Sequence, residues 1–306
     1  SNVLKYSIEG AGAWSSGGNT NNTYSQSGYL GTQTACMSSG GFVNGVTSSV
    51  ISESYNGTAW SETNDLPAAR YGPAGFGTTT AGVNCGGRNA SNAQQNSTDE
   101  WDGTNWTLVP GTLNVSRGSV HGAGVQTAGI IAGGVTPSNT VAAETYNGTT
   151  WTTISNLLAP RQMTPIAGTQ TAALIIGGRP PDAGNASVEE YNGTSWSEEN
   201  NITTARSEGG GSGTVTAAML ITGQDGPSET VTAVVEQYDG TSWTEVADVA
   251  TARKSMPGSG QSGTTSASII WGGFSSPTPP AITATEEWNE PVLATKTVTV
   301  KIGRAS

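Results

Sequence analysis

The groups able to move protons, attack carbonyls or bind metals are few. His121 is the only imidazole in 306 residues, so a centre built from several histidines is impossible within one chain. It follows Arg117 by four residues in a stretch expected to be an inner strand, where a packed or hydrogen-bonded role fits better than that of a base. Serine and threonine abound, but no Gly-x-Ser-x-Gly elbow with a partnering histidine accompanies them. Glu189-Glu190 and Glu198-Glu199 are neighbours in sequence, so on a strand they point to opposite sides and cannot flank one glycosidic bond. Cys36 and Cys85 occupy unequal places in consecutive units, and buried free thiols are the default for both. No catalytic residue, metal site or cofactor site is therefore expected, and no enzymatic activity.

Composition points the same way. Only 11% of residues are charged, while 43 are Gly and 14 are Pro, which means many turns and few long helices. The net charge of −11 repels nucleic acid phosphate, and the 12 Lys and Arg residues are scattered, so no nucleic acid partner is expected. No run of about 18 apolar residues is present to cross a bilayer and no charged-then-apolar leader opens the chain, so a soluble protein without membrane insertion is expected. Asn-x-Ser/Thr sequons at Asn56, Asn147 and Asn192 fall in predicted turns, where backbone geometry already accounts for the asparagine.

An internal repeat dictates the elements that position these groups. One phrase returns five times: Tyr55-Asn-Gly-Thr-Ala-Trp60, Trp101-Asp-Gly-Thr-Asn-Trp106, Tyr146-Asn-Gly-Thr-Thr-Trp151, Tyr191-Asn-Gly-Thr-Ser-Trp196 and Tyr238-Asp-Gly-Thr-Ser-Trp243. Asn-Gly or Asp-Gly between β-prone aromatics predicts a tight hairpin, in which Asn, Asp and Gly tolerate positive φ. Upstream of each copy, a Gly-Thr-x-Thr-Ala segment leads into a short apolar strand ending in Gly-Gly, as in Gly168 to Gly178, although the fifth copy reads as ending Gly223-Gln224. Four strands per unit of about 45 residues, with no helix between units, suit a propeller blade.

Closure is legible too. The tryptophans Trp14, Trp60, Trp106, Trp151, Trp196 and Trp243 start one unit earlier than the aromatic series Tyr55, Trp101, Tyr146, Tyr191, Tyr238 and Trp288. That offset predicts that the N-terminal strand completes the last blade and removes an open sheet edge. The expected fold is all-β, a six-bladed β-propeller of four-stranded antiparallel blades. Its blades are expected at about 15–60, 61–106, 107–151, 152–196, 197–243 and 244–290 plus 8–14, so that the propeller occupies 1–290. Residues 291–306 form a basic strand or tail that either pairs with Val3 to Ile8 or docks onto another subunit.

The order of an Arg before the first strand, Gly-Gly ending the second, an aromatic in the third and Trp in the fourth resembles the kelch repeat over roughly residues 8 to 290. The wording of the repeat more narrowly resembles kelch-like proteins encoded by bacteriophages of aquatic bacteria, where such propellers serve as virion structural or fibre components. That resemblance implies a nonenzymatic structural or adhesion module on a virion surface or otherwise extracellular. Other virion or assembly subunits, contacted through 291–306, and a host surface protein or glycan are its implied partners. A soluble bacterial glycan-binding lectin is the alternative. The first unit departs from the pattern, since Ser15 to Tyr24 contains no Arg.

Charged residues repeat as well. Arg70, Arg117, Arg161, Arg206 and Arg253 precede the innermost strands, and Glu53, Asp99, Glu144, Glu189, Glu236 and Glu286 stand two residues before each third-strand aromatic. Two readings follow: a repeated Arg-carboxylate bridge, or a ring of five guanidinium groups at the channel mouth. The six acids available to neutralise five cations favour the bridge. The repeat Trp and Tyr residues are expected to fill the interfaces between blades. Specificity is expected in the loops between Gly-Gly and the third strand, which vary while their surroundings do not, with Arg88, Asn89, Arg179, Asp182, Asp225 and Phe274 as candidate recognition residues.

Overall fold

The computed structural model describes residues 2–8, 12–46, 48–179, 185–226, 230–256, 265–275, 281–290 and 294–300, the first and last of these as backbone pairing. Among them there is no helix, and hence none long enough to cross a membrane. Six antiparallel sheets follow one another along the chain as the blades of a six-bladed β-propeller. Blade 3 is typical: His121–Val125, Ala128–Ala132, Ala143–Tyr146 and Trp151–Thr153 pair in sequence order. In the sixth sheet Ala267–Trp271, Thr285–Asn289 and the N-terminal Ala13–Ser16 are described, whereas its expected innermost strand lies in 257–264, outside the described residues.

The ring closes where the aromatic offset predicts. Trp14 stands opposite Trp288 in register, the same pairing that joins Tyr55 to Trp60 and Tyr146 to Trp151. The Trp14 and Trp288 ring centroids are 5.6 Å apart, and the Trp14 indole donates to the Ala247 carbonyl of blade 5 at 3.0 Å.

The hairpins hold by a different device from the one expected. Asn56, Asp102, Asn147, Asn192 and Asp239 do not adopt positive φ; only the glycine after each does. The Asn or Asp acts through its side chain, whose Oδ1 accepts two backbone N–H groups, as when Asn56 accepts from Thr58 at 3.0 Å and Ala59 at 2.9 Å. Backbone geometry thus accounts for these residues without left-handed conformation.

There is no single core. Six clusters of buried side chains each straddle one junction between consecutive blades. At the blade 2–3 junction, Phe76 and Val83 meet Ile131, Tyr146 and Trp151, and the Trp151 indole donates to Thr98 Oγ1 at 2.9 Å. The repeat aromatics therefore wedge each blade against its predecessor, burying rings that would each expose about 150–250 Å² alone. A glutamine in the Gly-Thr-Gln-Thr-Ala turn adds polar stitching: Gln170 Nε2 reaches the Tyr146 carbonyl of the preceding blade at 2.7 Å, and Gln33 reaches Trp288 at 2.6 Å.

The two chain ends form a separate ribbon. Asn2–Ile8 pairs antiparallel with Ala294–Val300 over seven residue pairs, from Asn2 opposite Val300 to Ile8 opposite Ala294. The pairing expected between the C-terminal strand and the segment from Val3 to Ile8 is thus present.

Candidate functional site: the channel mouth

The repeated charges lie inside the blades. Arg70 meets Asp99, Arg117 meets Glu144, Arg161 meets Glu189 and Arg253 meets Glu286, with Arg206 Nη1 2.9 Å from Glu236. Every partner belongs to the same blade as its arginine, and every one of these side chains is buried. Arg161 also donates to the carbonyls of Gly177 and Ser187, at 3.1 and 3.0 Å. Burial pulls the guanidinium pKa of Arg117, Arg161, Arg206 and Arg253 below the usual value, and the facing carboxylate opposes that pull. The four glutamates of these bridges gain backbone donors as well, as when Glu144 accepts from Asn114 at 2.7 Å and Val115 at 3.2 Å, whereas the second oxygen of Asp99 is buried without a hydrogen bond. No guanidinium ring faces the channel.

Blade 1 solves the same problem without arginine. Tyr24 occupies the arginine position and is fully buried, while Glu53 takes its hydrogen bonds from the backbone and side-chain amides of Asn21 and Asn22. The Tyr24 hydroxyl makes no hydrogen bond of acceptable geometry, and burial, followed by the nearby Glu53 carboxylate, pushes its phenol up.

The Gly-Gly pairs lie where blades crowd, and they carry left-handed backbone besides. A Cβ on Gly133 would stand 2.5 Å from the Arg161 carbonyl oxygen of the next blade, and φ is +71° at Gly133 and +99° at Gly134. The second glycine donates its N–H to that same carbonyl, at 2.9 Å from Gly134 to Arg161. The fifth copy corrects the sequence alignment: Thr222-Gly223 fills the Gly-Gly place, with φ of 56° and 122°, and Gly223 donates to Arg253 at 3.0 Å. A bulge between Ile221 and Gly223 carries the strand on to Asp225, which makes Gln224 the counterpart of Arg179. The sixth bond of this circuit runs from Gly273 to Tyr24 at 2.6 Å.

Two residues after each arginine position, the backbone turns inward. Gln26, Gly72, Ser119, Met163, Glu208 and Ser255 all have φ between 49° and 63°. Each donates its N–H to the carbonyl of the one before, at 2.8 to 3.0 Å, and Gln26 donates to Ser255, so that six peptide groups form a closed circle on the axis. Beside this circle lies a small cavity, with room for about one water, that opens to solvent. His121, Met163, Glu208 and Met256 are among its walls. Burial depresses the His121 imidazole to about 4, and its Nδ1 donates to the Thr164 carbonyl at 3.0 Å. Glu208 accepts from the Ser255 hydroxyl and lies 3.7 Å from Arg179. No group of three or more His, Cys, Asp or Glu side chains is close enough to hold a metal among the described residues.

The candidate recognition residues surround this circle. Arg88 pairs with Tyr71, Arg179 with Gln162 and Phe274 with Lys254, each by reciprocal backbone hydrogen bonds, so the residue after Gly-Gly sits beside the residue after the arginine position. Asn89 serves its own loop, its Oδ1 accepting from Ser91 and Ala93 at 3.0 Å. Asp225 stands opposite Arg206 and accepts from Thr230 Oγ1 at 3.2 Å. Asp182 lies outside the described residues. Sequence reading missed Phe42, Tyr71, Gln162 and Lys254, which share this rim. The signal was there: the residues just after each arginine position vary between constant neighbours. Cys36 and Cys85 are buried free thiols, their pKa values raised by burial.

The chain matches no protein-family profile and no curated protein.

Proposed function

We propose that the chain is a nonenzymatic recognition and adhesion module that uses the channel mouth as its contact face. The single observation that carries this reading is the distribution of chemistry. The frame repeats its wedges and hydrogen-bond circuits six times and its buried bridge five times, whereas Phe42, Tyr71, Arg88, Gln162, Arg179, Lys254 and Phe274 differ from blade to blade and crowd one rim. A frame held by inter-blade packing and backbone circuits presents these side chains with little entropy left to lose on binding.

The kelch-like repeat and its resemblance to phage propellers favour a surface-exposed component of a virion, contacting a host or neighbouring subunits. An antibody raised against the purified chain should label the outside of particles or cells from the encoding organism, and mouth variants should lose attachment. Label confined to the cell interior would remove this reading. A soluble glycan-binding lectin is the second reading, favoured by the Phe42–Tyr71 ring pair at 4.6 Å beside the amide of Asn92. Saturable binding by the free monomer on a glycan array would favour it.

A further inference from the structure

The twelve cations are distributed unevenly. Five are the arginines of the buried bridges, and four, Lys5, Lys296, Lys301 and Arg304, belong to the terminal segments. The remaining three are Arg88, Arg179 and Lys254, and all three stand on the rim of the same mouth. The outermost strands carry the opposite sign, with Glu62, Glu198, Glu199 and Glu245 on Trp60–Glu62, Trp196–Glu199 and Trp243–Val246. An anionic ligand is thus repelled from the wall and attracted to the mouth. Of the acids near the mouth among the described residues, Glu208 is buried and already engaged by Ser255 and Arg179, and Asp225 accepts from Thr230.

The cations share the rim with flat rings and amides. Phe42 of blade 1 lies against Tyr71 of blade 2 with centroids 4.6 Å apart, and Phe274 follows at the junction of blades 6 and 1. Tyr71 donates its hydroxyl to Asn92 Oδ1 at 2.5 Å, and Arg88 Nη1 donates to the same oxygen at 3.1 Å, which orients cation, ring and amide together. Arg88 Nε is buried with no hydrogen-bond partner. Lys254 Nζ is held by Gln224 Oε1 at 2.7 Å. Aromatic faces suit the apolar side of a pyranose ring, amides that both donate and accept suit its hydroxyls, and fixed cations suit an acid group on it.

We propose that the mouth binds an anionic saccharide, the ring stacked on Phe42, Tyr71 or Phe274 and the acid groups met by Arg88, Arg179 and Lys254. This rests on the mouth being the recognition face. Calorimetric titration with an oligogalacturonate, a sulfated dextran oligosaccharide, a neutral dextran oligosaccharide and poly-glutamate tests it. Saturable binding of the carboxylated or the sulfated sugar is expected, and the tighter of the two identifies the acid group. Binding should weaken about tenfold or more at high salt and in the Arg88→Gln/Arg179→Gln/Lys254→Gln variant. Phe42→Ala should weaken it about tenfold at most. Equal binding of neutral dextran overturns the proposal, as does poly-glutamate binding that ignores Phe42→Ala, or no saccharide binding at all. Should the triple variant fail to fold, Lys254→Gln alone and the salt dependence of the unaltered chain decide it. If the chain attaches to its target through the mouth while every saccharide fails, the recognition reading stands and the saccharide falls.

Discussion

Gln26 donates its backbone N–H to the Ser255 carbonyl at 2.8 Å, joining residues 229 positions apart and closing the axial circle of six peptide hydrogen bonds. A second circuit, ending in Gly273 to Tyr24, closes the ring again at the Gly-Gly level. The propeller is thus clasped by backbone as well as by the Trp14–Trp288 strand pair. Side chains above the circle are free to vary because none of these bonds depends on them.

The circle needs left-handed backbone at every blade, and Gly72 supplies it where φ is +60°. Gly72→Ala should cost about 1 kcal/mol, from the left-handed penalty together with a Cβ 3.0 Å from the Ser119 nitrogen. Chemical denaturation gives the number. A midpoint equal to the parent's would mean that the circle tolerates a side chain there without strain.

Arg161 and Glu189 test the buried bridge. Arg161→Ala leaves Glu189 as an uncompensated buried charge and should cost about 3–5 kcal/mol. Replacing both residues by apolar groups of similar volume should cost much less than the sum of the two single changes, because no charge is then stranded. A double-mutant cycle read by urea unfolding checks this, and additive losses would contradict the bridge.

His121 links stability to pH. Its folded pKa of about 4 lies below the unfolded value of about 6.5, so between those limits the unfolded chain binds more protons. Stability from this group is complete above pH 6.5 and is lost as pH falls toward 4, by about 2 kcal/mol once discounted for partial exposure. His121→Gln should flatten this part of the profile, although the carboxylates keep their own acid dependence. Identical slopes for parent and variant between pH 6.5 and 4.5 would dismiss the buried neutral imidazole.

Trp14 carries the closure of the last blade. Trp14→Ala removes a half-buried indole, its contact with Trp288 and its bond to Ala247, and should cost about 2 kcal/mol. Trp14→Phe should recover the ring contact and part of that loss. Thermal melts that fail to separate the Trp14→Ala variant from the parent would show that the N-terminal strand does not hold the ring.

Much of the frame is readable from residue spacing. The Tyr/Trp–Asn/Asp–Gly phrase marks the outer hairpins, the one-unit offset between Trp14 and Trp288 marks closure, and the Arg and acid series mark the bridges. These features are legible because each is made within one unit or between adjacent units, so it recurs at the period of the chain. Three things were not legible. Tyr24 takes the arginine position with no resemblance of side chain, Thr222 takes a glycine's left-handed place, and Gln26, Ser119, Met163, Glu208 and Ser255 turn left-handed although nothing in those side chains asks for it.

The sequence by itself determined a closed ring of six antiparallel sheets with aromatic wedges between them, since periodic turns and alternating burial are local properties of the strand. Only the tertiary structure decided that Arg88, Arg179 and Lys254 meet Phe42, Tyr71 and Phe274 around one opening. Those residues come from different units and neighbour one another only once the ring is shut. The conformation that aims the mouth is imposed by hydrogen bonds between peptide groups, which every residue type carries and no sequence pattern announces.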